Sequence, residues 1–166
     1  MLFTPRRTET RDPDAQVFFS LEPLIRGMGM ALIDLSVFRR KGRGEGSVSL
    51  RAVVYRNGVI SLEDCARVHR AIMPRLELAF PGKEINLEVS STGIDRIIKD
   101  GSEFAHYIGR GVRCYRTDIS GWTAGILLAV NEKEIVLEGE GGETSLPYEI
   151  IAKARLDGSA PSKTGG

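Results

Sequence analysis

The sequence predicts an α+β protein of two modules. Two amphipathic helical stretches alternate with three strand-like stretches before residue 96, whereas short strands punctuated by glycine fill residues 103–157. The texture changes near 95–103. A length of 166 residues leaves room for one large domain or two small ones. Hydrophobic residues at 42% and charged residues at 27% are ordinary globular usage, so such modules can bury cores.

The first helix is expected from Pro13 to Arg26, with Asp12 as its N-cap and Pro13 in the first position. Val17, Phe18, Leu21, Leu24 and Ile25 form its apolar face, and Gly27 and Gly29 end it. Residues 31–38 read as a strand in which Ile33, Leu35 and Val37 alternate with Asp34 and Ser36. A basic glycine-rich loop, 39–46, leads to a hairpin partner at 48–55, which Asn57-Gly58 closes with a turn. Ser61 and Asp64 have the spacing of a capping pair and open a second helix. Its expected face is Leu62, Cys65, Ala66, His69, Ile72 and Met73, and Pro74 is expected to end or kink it. A third strand, 85–91, follows Pro81-Gly82. The order helix, strand, strand, helix, strand implies an N-terminal α-β-β-α-β sandwich domain over 14–96.

Beyond Gly101 a helical turn at 102–107 leads into strands at 112–116, 122–130, 134–137, 143–146 and 152–156. Five short strands at this spacing predict a small SH3- or Sm-like all-β barrel over 103–157. Residues 1–13 and 158–166 are polar, lack apolar anchors, and read as disordered tails.

The net charge of +1 divides unevenly: residues 1–100 carry 16 Lys/Arg against 13 Asp/Glu, and residues 101–166 carry 7 against 9. A phosphate-rich partner would meet the first part more readily. Cys65 and Cys114 are far apart and belong to no C-x-x-C pair, so zinc-finger chemistry is not expected and reduced thiols are. No apolar run approaches the ~20 residues of a membrane helix, and the N-terminus lacks a signal-peptide stretch. A cytoplasmic protein with no membrane association follows as the expectation.

Gly42-Arg43-Gly44-Glu45-Gly46 is no P-loop, because no Gly-Lys-Ser/Thr precedes a helix there. It reads either as a flexible hairpin loop or as a basic finger, in which Arg39, Arg40, Lys41 and Arg43 contact RNA phosphate. His69 and His106 lack nucleophile or carboxylate sets at motif spacing, and no hydrolase, zincin or deaminase signature occurs. No catalytic residue, metal ligand or cofactor is therefore expected. Trp122, Tyr107, Tyr115 and Tyr148 serve either as stacking platforms for bases or as packing of a small barrel.

The most unusual stretch is Leu87-Glu88-Val89-Ser90-Ser91-Thr92-Gly93-Ile94-Asp95-Arg96. It reads as a strand, a polar corner at which Gly93 can take positive φ, and an Asp-Arg pair. Such a stretch is either a strand exit at a domain junction or a partner-contact surface. It resembles the signature Leu-Glu-Val-Ser-Ser-Pro-Gly-x-Asp-Arg-Pro-Leu of the ribosome maturation factor family RimP. Further similarities follow in order: Leu50-Arg51-x-Val53; Gly58 through Ser61 to Asp64-Cys65; Phe104-x-x-Tyr107-Ile108-Gly109 with Val112; and Ile151-x-Lys153-Ala154-Arg155-Leu156. Together they cover about residues 15–157. Thr92 and Ile97 replace two prolines of the family pattern, and Tyr55 stands where an Asp is usual.

The resemblance implies a two-domain, non-enzymatic factor that transiently binds the immature small ribosomal subunit, its RNA and protein, and assists its assembly, acting as a monomer. It marks Arg51, Glu88, Ser90, Ser91, Gly93, Asp95 and Arg96 as candidate partner-binding residues. Glu88, Asp95 and Arg96 have the alternative of a structural ion-pair cluster. Two rival functions are an Sm-like RNA-binding regulator without a ribosomal role, and an enzyme whose site gathers Asp95, Arg96, His106 and Tyr107.

Overall fold

The computed structural model describes residues 12–159. The tails expected at 1–13 and 158–166 lie outside it, except for their two innermost residues each. The described residues divide into two compact units, 12–92 and 93–159.

The first unit contains α1 (Pro13–Gly27), β1 (Ala31–Arg40), β2 (Ser47–Tyr55), α2 (Leu62–Ala79) and β3 (Glu84–Ser91). Asp12 caps α1 by accepting a hydrogen bond from the Asp14 N–H, and Gly29, at φ +80°, turns the chain after it. The sheet order is β1-β2-β3, antiparallel between β1 and β2 and parallel between β2 and β3. Both helices pack on one sheet face. Leu21 and Ile25 of α1 and Val68, Ile72 and Leu76 of α2 meet Leu32, Val48, Leu50, Ala52 and Val54. Burying each large side chain of this kind contributes about 1.5–3 kcal/mol.

Three local expectations are corrected. The register shifts between Leu32 and Asp34, so Ile33 is the extra residue of a β-bulge. Leu32, Leu35 and Val37, rather than Ile33, Leu35 and Val37, therefore serve the helix-side core. In α2 the buried stripe is Val68, Ile72 and Leu76, whereas Leu62 is 91% exposed. A spacing of four along the helix matches the sheet contact better than the expected face, which was anchored on the first turn. Finally, α2 continues through Pro74 to Ala79. Proline removes one helical N–H, but Pro74 and Arg70, whose carbonyl would receive it, are both exposed, so solvent can take its place.

The start of α2 shows why Gly58, Ser61 and Asp64 occur at their spacing. Gly58 has φ +109°, which favours glycine. Ser61 Oγ accepts from the Asp64 N–H at 3.0 Å, and the Asp64 carboxylate accepts from the Ser61 N–H at 2.9 Å and from Arg56 Nη2 at 2.8 Å. These donors, the Ser61 backbone N–H first, hold the Asp64 carboxyl below its ordinary value near 3.8. A carboxyl depressed in the folded state contributes stability above its unfolded pKa and loses it as pH falls through the folded value. Urea unfolding of wild type and Asp64→Asn will therefore differ most near pH 6. The difference will close progressively below pH ~4.

The second unit contains β4 (Ile97–Ile98), a 3-10 turn (Gly101–Tyr107), β5 (Gly111–Arg116), β6 (Gly121–Val130), β7 (Glu134–Gly139), β8 (Gly142–Pro147) and β9 (Ile151–Leu156), with a second 3-10 turn at Tyr148–Ile150. Five of these strands were expected; β4 was not. The strands form one antiparallel sheet in the order β4-β9-β5-β6-β7-β8, and among the described residues no pairing of β4 with β8 closes it into the small SH3- or Sm-like barrel expected from the sequence. At one edge β4 pairs Ile97 with Arg155 and Ile98 with Ala154 and so takes the free side of β9. Buried residues include Val112, Cys114, Leu127, Ile135, Leu137 and Leu146, and Phe104 stacks on Tyr148 at 6.1 Å. Burial pushes the Cys114 thiol up to about 12, which suits an unreactive core cysteine. Gly125 is required by the β6–β7 approach, since a Cβ there would lie 2.6 Å from the Glu138 carbonyl oxygen. Among the described residues, no helix is long and apolar enough to cross a membrane, and no cluster of three or more His, Cys, Asp or Glu residues is arranged to hold a metal.

Candidate functional site

The residues of the 87–96 stretch and Arg51 fall into two groups, one in each unit. In the first unit, β3 is an edge strand, and its residues alternate between the helix side and the opposite side. Ile85, Leu87 and Val89 pack toward the helices, so Glu84, Asn86, Glu88 and Ser90 take the other face. The parallel register sets Arg51 of β2 beside Glu88, and Arg51 Nε donates to Glu88 Oε2 at 3.2 Å. Both side chains are 60% exposed. An ion pair so open to water is worth at most about 1 kcal/mol to the fold, so a partner can exchange it at little cost. Ser90 is half-buried beside Val53, and Ser91 is exposed at the end of β3.

In the second unit, Gly93 to Arg96 form a turn in which the Arg96 N–H donates to the Gly93 carbonyl at 3.3 Å. The expected positive φ at Gly93 is corrected: it lies outside the positive-φ set, and a Cβ there would meet nothing within 4 Å. The turn puts its bend at Ile94 and Asp95, so neither backbone strain nor packing requires glycine at 93. Asp95 is exposed.

Arg96 has a different role from the one its neighbours suggest. It forms an ion pair with Glu103, seven residues on, in the first 3-10 turn. Its Nε and Nη2 donate to Glu103 Oε2 and Oε1, each at 3.0 Å. Glu103 Oε1 also accepts from the Lys99 N–H at 3.1 Å, and the Tyr107 hydroxyl lies 3.4 Å from Oε2. The Arg96 side chain is only 11% exposed and that of Glu103 2%. Burial is the main cause that raises the Glu103 carboxyl, and Arg96 pulls it part of the way back. Burial likewise raises the Tyr107 hydroxyl. A buried, bidentate and hydrogen-bonded pair explains these shifts without catalysis. His106 and Asp95, the other members of the enzyme hypothesis, are exposed.

The basic loop also divides. Arg39 and Arg40 are the last residues of β1, so strand parity sends them to opposite faces. Arg39 takes the helix side: it forms a two-pronged ion pair with Asp14 of α1 and lies over the Phe80 ring at 5.5 Å. Arg40, Lys41 and Arg43 are exposed, and among the described residues their side chains have no acidic partner. Lys83 Nζ donates to the Glu45 carbonyl, and Gly46, at φ +79°, lies so close to the Arg40 carbonyl oxygen that a Cβ would sit 2.6 Å from it. The loop is therefore anchored at its base, beside a cavity of about 440 Å³ bordered by Arg40, Lys41, Phe80 and Lys83. Sequence reasoning singled out Trp122 but missed the cations around it, Arg113 and Arg155; their alternation with Tyr115 and Lys153 was the available signal.

A two-helix, three-stranded unit carrying an exposed cross-strand ion pair and an anchored basic loop belongs to a known class of module: residues 20–95 match the family model described as RimP N-terminal domain. This match supports the resemblance to the RimP family of ribosome maturation factors.

Proposed function

We propose that this chain binds the immature small ribosomal subunit transiently and assists its assembly, as a cytoplasmic monomer without turnover chemistry. The match of residues 20–95 to the RimP N-terminal domain carries this reading. The surface supports it. The exposed Arg51–Glu88 pair, Ser90 and Ser91 form one candidate partner contact on edge strand β3, and Gly93 and Asp95 add exposed positions on the following turn. Arg40, Lys41 and Arg43 supply unneutralised cations for RNA phosphate, whereas Arg39 and Arg96 are held in internal pairs.

Co-sedimentation of the purified chain with free small subunits, large subunits and assembled ribosomes, at two salt concentrations, tests the proposal. Binding confined to free or immature small subunits is the expected result. Binding to no particle by a folded protein would overturn it. Equal affinity for naked single-stranded RNA and for subunits, together with ring formation, would favour the Sm-like regulator.

A further inference from the structure

The outward face of the second sheet carries an aromatic and cationic patch with no assigned role. Val112, Cys114, Ala154 and Leu156 are buried, so the alternating residues Arg113 and Tyr115 of β5 and Lys153 and Arg155 of β9 turn outward, beside Trp122 of β6. The antiparallel registers set Tyr115 between Trp122 and Lys153, and Arg113 next to Arg155. Trp122 meets the Tyr115 ring edge-on at 5.5 Å. The Arg113 and Arg155 guanidiniums lie 5.4 and 5.8 Å from the centroid of the Trp122 ring. Both arginines come from strands on the same side of β6, so the indole leans across β5 onto them and remains 47% exposed.

Two features point to the occupant. The outward positions of these three strands hold three cations and no carboxylate, and Asp118 on the adjoining turn is bound by Arg116. Arg113 Nε is buried and has no hydrogen-bond acceptor among the described residues. Guanidiniums stacked on an indole fix its plane, while donors left over around the ring favour an anion beside it. An aromatic plane flanked by phosphate-binding cations is the arrangement that holds a single-stranded nucleic acid, base on ring and backbone on charge.

We propose that the β5–β6–β9 face binds single-stranded RNA, with one base stacked on Trp122 and phosphates on Arg113, Lys153 and Arg155. The inference refines the function proposed above and rests on it for the choice of RNA over an acidic protein segment.

Trp122 is the single tryptophan of the chain, so its fluorescence reads this face directly. The full chain would be titrated with ten-nucleotide oligouridylate and oligoadenylate, and separately with a polyglutamate peptide. Saturable quenching by both RNAs and none by the peptide is expected. Trp122→Leu should weaken RNA binding about 5- to 150-fold, Trp122→Phe should restore much of it, and Lys153→Gln and Arg155→Gln should each lower the salt slope by about 0.7. RNA binding without a change in fluorescence, or with affinity unchanged in Trp122→Leu, would overturn the proposal. So would quenching by the peptide alone. Loss of naked RNA binding while co-sedimentation with small subunits persists would overturn this proposal and leave the assembly role standing. Should Trp122→Leu fail to fold, the wild-type quenching and the two salt slopes still decide.

Discussion

Glu103→Ala will destabilise the 93–159 unit by about 3–5 kcal/mol, the cost of breaking a buried ion pair by removing one partner. Arg96 is fixed by two parallel hydrogen bonds to Glu103, and neither side chain has enough exposure for water to replace the other. The same carboxylate accepts from the Lys99 N–H and lies within reach of the Tyr107 hydroxyl, so its loss takes an acceptor from each of those groups as well. Arg96→Ala will cost a similar amount for the mirror reason, an unpaired buried carboxylate. Urea unfolding followed by the fluorescence of Trp122, which lies in the same unit, measures both.

A double variant separates the pair from its neighbourhood. Arg96→Met with Glu103→Leu removes both charges while keeping the volume filled. It should recover most of the lost stability, apart from about 1–2 kcal/mol for the acceptor that the Lys99 N–H and the Tyr107 hydroxyl lose. A double variant as unstable as the single ones would show that the pair is needed as a pair. Either way, loss of subunit binding in Arg96 variants must be weighed against loss of fold. This removes Arg96 from the residues whose substitution reports cleanly on a partner surface.

Much of the fold is written in local pattern, and the failures share a cause. The α+β class and the Asp12 and Ser61 caps depend on residues a few positions apart, which periodicity and capping chemistry detect. The bulge at Ile33, the Val68-Ile72-Leu76 face and the continuation through Pro74 depend on what lies against each element, and one sequence does not state that. The two-residue β4 is too short for any period to register, yet it forms an edge of the second sheet. At the site, Arg51 and Glu88 are 37 residues apart, and only the parallel β2–β3 register places them together. The ion-pair alternative grouped Arg96 with Glu88 and Asp95 and missed Glu103, which lies beyond β4 in a turn of another kind. Gly93 belongs to the resembled motif, but the backbone here makes no use of its freedom.

Strand parity also sorts the basic loop, and with an effect large enough to measure easily. Arg40, Lys41 and Arg43 changed together to alanine should lower the salt slope of small-subunit binding by about 2–3, at 0.7 for each single-strand and 0.9 for each duplex phosphate contact. Near 0.1 M salt this corresponds to a loss of about a hundredfold or more in affinity. Arg39→Ala provides the contrast. Its guanidinium lies between Asp14 and Phe80, where a half-exposed ion pair and a cation–π contact together contribute about 1 kcal/mol to the fold. That substitution should lower the melting temperature of the first unit by several degrees and leave the salt slope alone. Four cations that adjoin in sequence would then divide three to one between binding and architecture, as the anchored loop and the alternation of β1 require. If the triple substitution leaves the slope unchanged, the loop has no phosphate contact. If Arg39→Ala lowers the slope instead, its pair with Asp14 opens on binding, and the loop acts as the mobile finger that its anchored base argues against.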